Sequence, residues 1–329
     1  MNMQPSIKHL LMLCLLLSGS MIWLHDAAYS QLADTTGVDL GFRGSPRIQK
    51  TDARSAALAG ATVADIYSNS SVNSNPALIS LVKRPNSIQY HNYKNWSNNV
   101  VQQSAVLPAI RISNHTIVLQ GTMMYDGNNW GNLTGEHTLP VPDLQVFEAG
   151  VAYAYRLAGS LSVGVLNTTS YGQSNESEFW ANHSTIGLLY APEFNVTYGA
   201  ALRGLGTSII YELDPRGNTL LQTQTVRTVL EIGATLKFPV ESDDPFLAIS
   251  FSNEKQFGVK GIWYKGGIEL KPIPFFAMRS GILFEPDQGI LLPRYGLGVD
   301  ANFFRADYSI SPRQFQAERF HQISITLQF

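Results

Sequence analysis

From residue 87 to its end the chain alternates apolar and polar positions with a period of two. Leu161, Val163 and Val165 stand opposite Ser162 and Gly164, and Phe304, Ala306, Tyr308 and Ile310 stand opposite Arg305, Asp307 and Ser309. Successive side chains of a strand point to opposite faces, so this period predicts strands with one apolar and one polar side. Candidate strands cover 87–96, 102–112, 116–125, 144–155, 161–171, 184–190, 195–202, 208–213, 220–229, 230–240, 246–253, 257–264, 267–271, 275–284, 295–303, 304–310 and 318–329. Turn signals such as Asp126-Gly127-Asn128-Asn129, Asp214-Pro215-Arg216-Gly217-Asn218 and Glu285-Pro286-Asp287-Gln288-Gly289 separate them. Some neighbours must be halves of one strand. At about 17 to 20 residues for a strand with its turn, the roughly 240 residues from position 87 make about 12 to 14 strands, and 14 is the expected number.

The last segment says what the apolar side faces. Ile323, Ile325, Leu327 and Phe329 point one way and Gln322, Ser324, Thr326 and Gln328 the other. As the edge of a soluble sheet this strand would leave unpaired backbone groups and an apolar ladder at the least protected end of the chain. A barrel pairs it with the first strand and gives its apolar face to lipid, whereas a last strand packed on a soluble sandwich is the competing reading. The expected fold is therefore all-β, a transmembrane antiparallel β-barrel. Ile209-Ile210-Tyr211, Pro274-Phe275-Phe276 and Ile290-Leu291-Leu292-Pro293 break the alternation and fit bulges, rims or strand ends. Tyr125, Trp130, Trp180, Tyr190, Trp263 and Tyr264 suit interfacial girdles, although each alone also suits a core. Arg305 and Asp307 share a face, as a lumenal pair or as part of a solvated sheet. The loops 126–142 and 171–184 are expected outside the cell, and Trp130, Leu133 and Leu139 make the first of them a candidate for folding inward or for holding a partner.

Composition agrees with alternation. Only 15% of residues are charged, against 11% aromatic, and the formal net charge of -2 makes no electrostatic case for nucleic acid. Mean hydropathy is nevertheless -0.03, as a barrel with half its strand residues on a polar lumen requires. At the N-terminus Lys8, the apolar run 10–24 and the small-x-small sequence Ala28-Tyr29-Ser30 read as a secretory signal over 1–30 with cleavage before Gln31. The single cysteine, Cys14, lies in that run, so disulfides do not supply the stability of the rest.

Between signal and barrel, 31–86 forms an N-terminal segment of another kind. In 52–82 Ala53, Ala56, Ala57, Ala59, Ala61 and Ala64 crowd the first part, and Ser and Asn dominate 67–75. A short helix over 53–59, a turn at Gly60 and a bend at Asn75-Pro76-Ala77 are expected. Such small side chains bury little area each, so the segment is either a compact cap or a plug packed against a preformed barrel wall. Arg54 then faces a polar or acidic lumen position, or, in a cap, is an exposed helical arginine.

Nothing points to catalysis. His91, His115, His137, His183 and His321 form no close pair for a metal, no cysteine serves as nucleophile, and Gly159-Ser160 lacks the strand-to-helix setting of a hydrolase elbow. Neither metal nor cofactor is expected.

Two blocks carry a resemblance. Ala53-Arg54-Ser55-Ala56-Ala57-Leu58-Ala59-Gly60-Ala61-Thr62-Val63-Ala64 followed by Asn75-Pro76-Ala77-Leu78 resembles the opening of the PorV/PorQ family, relatives of FadL-type transporters. Arg279-Ser280-Gly281, Tyr295-Gly296-Leu297-Gly298-Val299, Asp307-Tyr308 and the terminal strand follow in that family's order. The departures are Ala59-Gly60-Ala61 in place of paired glycines and the Ser/Asn run in place of an acidic, alanine-rich one. The resemblance implies a 14-stranded barrel in the outer membrane of a Gram-negative bacterium, with Arg54, Gly60, Asn75 and Pro76 in a lumenal hatch. It implies an accessory role in type IX secretion or surface assembly in Bacteroidota-like bacteria, with a secretion translocon or a cargo signal domain as partner. A FadL-like channel for hydrophobic small molecules, or a structural barrel, is the alternative. Outer-membrane lipid, lipopolysaccharide and the barrel insertion machinery are further expected partners, the last reading Ile323, Ile325, Leu327 and Phe329 as an assembly signal.

Overall fold

The computed structural model describes residues 52–66, 69–82, 86–95, 100–126, 145–173, 177–192, 195–213, 219–226, 228–239, 245–287, 289–301, 303–312 and 319–328. The proposed signal at 1–30, the loop residues Trp130, Leu133 and Leu139, and Phe329 lie outside them. Strand segments follow in chain order: β1 (Ser87–Asn95), β2 (Val100–Val106), β3 (Ile110–Ile112), β4 (His115–Asp126), β5 (Gln145–Ala158), β6 (Leu161–Gln173), β7 (Ser177–Tyr190) and β8 (Val196–Leu213). They continue with β9 (Thr219–Thr225), β10 (Val229–Phe238), β11 (Leu247–Gln256), β12 (Trp263–Ile273), β13 (Phe276–Glu285), β14 (Ile290–Ala301), β15 (Phe304–Pro312) and β16 (Arg319–Gln328).

Every pairing is antiparallel, and the sheet closes through β1 on β16, with Ser87 opposite Gln328. β2 and β3 pair in succession with β4, and β9 and β10 with β8, so each couple is one interrupted stave. The ring accordingly has 14 staves. Gly204, at φ 76, sits in the register shift of β8 beside the break between β9 and β10.

Burial confirms which side is which. Ser324 and Thr326 are buried while Ile323 and Leu327 are about half exposed, and Arg279 is buried while its neighbours Met278 and Ile282 are not. A soluble sheet arranges these the other way round. The ring instead carries polar residues inward and an apolar belt outward, which defines a transmembrane barrel. No described helix is long and apolar enough to cross a membrane.

Several local expectations are corrected. The span 257–264 is not a strand, because Gly258 and Gly261 take positive φ (77 and 88) and turn the chain before β12 begins at Trp263. The expected loop 171–184 is strand on both sides of residues 174–176, since β7 starts at Ser177. The pieces 195–202 and 208–213 are one strand, β8.

Inside the ring lies the alanine-rich segment. The helix α1 (Ala53–Ala57) is capped by Asp52, whose carboxylate accepts from the Ser55 N–H at 2.7 Å, and it ends where Ala59 and Gly60 turn left-handed at φ 56 and 75. Two 3-10 turns, Asn69–Asn73 and Pro76–Ser80, follow. Asn75 caps the second, accepting from Ala77 N–H at 3.1 Å, and Pro76 fills the first position, where no N–H is needed.

Candidate functional site

The plug is seated by close backbone contact on one side. Positions 164, 187 and 199 are inward glycines on β6, β7 and β8, and a Cβ on them would strike Ala77 N at 2.5 Å, the Asn75 carboxamide and Val63 O respectively. Asn75 Nδ2 donates to Val63 O and to Leu188 O on β7, both at 2.8 Å, and Thr197 Oγ1 donates to Ala64 O at 2.6 Å. Arg111 closes the far end by donating to Ile79 O and Val82 O. A glycine inside a strand marks a place where another backbone comes close, and here the other backbone is the plug.

On the opposite side the same plug is held by charge. Arg54 is fully buried, bonds Asp65 within the plug, and donates from Nε to Glu269 of β12 at 2.9 Å. Arg279 of β13 bonds the same Glu269 and reaches Asp307 of β15 at 2.7 Å. Gly298 leaves room for that second pair, since its Cβ would lie 2.6 Å from the guanidinium. Gly281 and Gly296 let α1 approach, a Cβ on either meeting Ala57 within 2.6 Å. Such a chain costs desolvation for every member, so each charge needs its partner. Above it Arg203 and Lys265 alternate with Glu231 and Glu254 in a balanced quartet with contacts of 2.6 to 3.1 Å. Gly60 lies under Lys265, its Cβ position 3.7 Å from Nζ. Among the described residues no group of acids, histidines or cysteines is arranged to hold a metal.

A second feature lies on the wall. Across β1 to β7 an apolar groove of about 580 Å³ is floored by Ala105, Gly121 and Ala149 and rimmed by Tyr90, Phe147 and Trp180. By register these side chains take the outward row, so the groove opens to lipid. Tyr171 and Trp180, with ring centroids 4.7 Å apart, stand at its upper edge.

The structure thus places Arg54, Gly60, Asn75 and Pro76 inside the barrel, Arg54 on the charged side, Asn75 and Pro76 on the glycine side. Ile323, Ile325 and Leu327 lie on the outward face of β16. Arg305 and Asp307 share the lumenal face but bond elsewhere, Arg305 to Asp300 and Asp307 to Arg279. Sequence reasoning missed Glu269 and the wall groove. Arg279, Gly281, Gly296, Gly298 and Asp307, quoted above as strand motifs, gather around α1.

No family model and no curated protein matches the sequence. Solved structures do match. The Pseudomonas putida toluene transporter TodX aligns with a TM-score of 0.56 at 12% identity, covering 84% of this chain and 96% of that one. The Ralstonia pickettii toluene transporter TbuX gives 0.55 at 13%, covering 85% and 98%, and a Pseudomonas aeruginosa FadL homologue gives 0.55 at 11%, covering 85% and 98%. The chain therefore has the FadL-like barrel fold over nearly the whole length of these proteins. The matches lend nothing to the narrower PorV/PorQ resemblance.

Proposed function

We propose that the protein is a plugged outer-membrane channel for hydrophobic small molecules. The carrying observation is the apolar wall groove. A lumen route for such a solute needs a contiguous apolar lining, yet the described lumen at plug height holds ion pairs and backbone contacts. A hydrophobic molecule gains nothing along that axis, whereas the wall groove offers it close packing against small and aromatic side chains at the lipid boundary. Named transport of toluene by TodX and TbuX supports the same reading. In this reading the end carrying the short turns 113–114, 159–160 and 274–275 faces the periplasm and 127–144 faces outside. Lipid and lipopolysaccharide surround the apolar belt, and the insertion machinery reads the strand ending at Phe329. Entry of decane into proteoliposomes should accelerate with the protein and fall to the protein-free rate in Ala149→Trp, which fills the groove. Entry that ignores both would remove the proposal.

The filled, charged lumen favours a second reading, an accessory of type IX secretion whose work is done at its rim and external loops. Affinity isolation from the native membrane separates the two: recovery with large secretion components or cargo supports the accessory, and isolation with bound hydrocarbon supports the channel.

A further inference from the structure

Single polar residues such as Ser280 of β13 and Thr207 of β8, opposite Asn182, occur in the outward row, but on β6 and β7 they cluster below the aromatic girdle. From the turn upward β6 presents Leu161, Val163 and Val165, then Asn167 and Thr169, and only then Tyr171. β7 mirrors it with Leu188 and Ile186, then Ser184 and Asn182, then Trp180. Asn167 Nδ2 donates to Asn182 Oδ1 and to Ser184 Oγ, each at 3.1 Å, and Asn182 Nδ2 donates to Thr169 Oγ1 at 2.9 Å. The four side chains form a patch on the hydrocarbon side of the Tyr171–Trp180 pair. Polar groups at that depth are expensive unless they meet a partner. Thr169 also lines the wall groove, so patch and groove are continuous.

We infer that groove and patch together bind a single-chain amphiphile with an uncharged hydrogen-bonding head, such as a long-chain alcohol or primary amide. The inference rests on the channel reading and narrows its substrate class. The groove, open on its outer side and floored by Ala105, Gly121 and Ala149, takes the chain. Carboxamides and hydroxyls both donate and accept, which suits a neutral head, while none of the four described side chains of the patch is a cation for a phosphate or carboxylate. That chemistry selects against phospholipid and lipopolysaccharide heads.

The test uses full-length protein in proteoliposomes, with quenching by a brominated chain at Trp180 displaced by 1-dodecanol, dodecane or dodecyl phosphate. Trp180→Phe identifies the signal. Wild type should prefer dodecanol to dodecane by about tenfold, the worth of one or two hydrogen bonds, and bind dodecyl phosphate more weakly than dodecanol. Asn167→Leu/Asn182→Leu should bind both uncharged ligands about equally and keep its dodecane affinity; Thr169→Val should move the same way by less. Equal wild-type affinities, a preference that survives the double substitution, tighter dodecyl phosphate, or crosslinking of Asn182→Cys into a dimer would each overturn the inference while leaving dodecane binding, and the channel reading, intact. Absence of any quenching would sink both.

Discussion

One plug meets two kinds of wall. Against β6, β7 and β8 it is fitted by glycines and by side-chain hydrogen bonds to main-chain carbonyls, and against β12 to β15 glycines again admit α1 while Arg54, Glu269, Arg279 and Asp307 add a chain of buried charge. Both tolerate no added atom at their glycines, but the first leaves no charge behind when a bond is lost. The second penalises any missing partner, because a stranded buried charge costs more than a lost contact.

The sharpest way to break this contrast is to add volume. Gly164→Leu and Gly281→Leu each put atoms where the plug backbone lies, so each should release its half. Ion conductance of the reconstituted protein should rise for either and reach the level of a 52–82 deletion for both; unchanged conductance would mean that the plug does not seal the pore. Next comes charge. Arg54→Ala leaves Asp65 without it and should cost about 3 to 5 kcal/mol, read as earlier urea unfolding of the heat-modifiable band, with Arg54→Ala/Asp65→Ala recovering part of the loss. An Arg54→Ala protein as stable as wild type would remove the charged anchor. Outside the plug, Ile325→Lys puts a cation on the lipid face and should cost about 2 to 4 kcal/mol at the midplane, a control that separates wall from plug. Smallest is Asn75→Ala, which loses a cap and two bonds to carbonyls and should cost about 1 to 2 kcal/mol. If it cost as much as Arg54→Ala, the two walls would not differ as described.

The barrel was legible because its rule is local: each strand states its own two faces, and the number of staves follows from length. What misled was polarity on the wrong face. Asn182 and Ser184 point to lipid, so the first half of β7 looked like loop, and Gly258 and Gly261 hid a turn inside an apolar run. The plug could be suspected from alanines and Asn75-Pro76. Its partners could not be named, because Arg54 and Glu269 lie 215 positions apart and only register brings them together. Inward glycines were visible as residues but not as landing places, since a glycine shows what approaches it only when the neighbouring staves are known.

The seam of the ring has a consequence for assembly. All other neighbouring staves are consecutive along the chain, but β1 and β16 meet only when residues 87 and 328 do. At that line Ser324 Oγ accepts from the Ala53 N–H at 2.7 Å and lies 2.9 Å from His91 Nδ1, so the first stave, the last stave and the start of α1 converge on one hydroxyl. Closing so long a loop is slow rather than forbidden, since its entropy grows only logarithmically with length. The ring therefore cannot complete before β16 is made, and the segment made ahead of every strand is positioned to be the clasp that holds its two loose edges together.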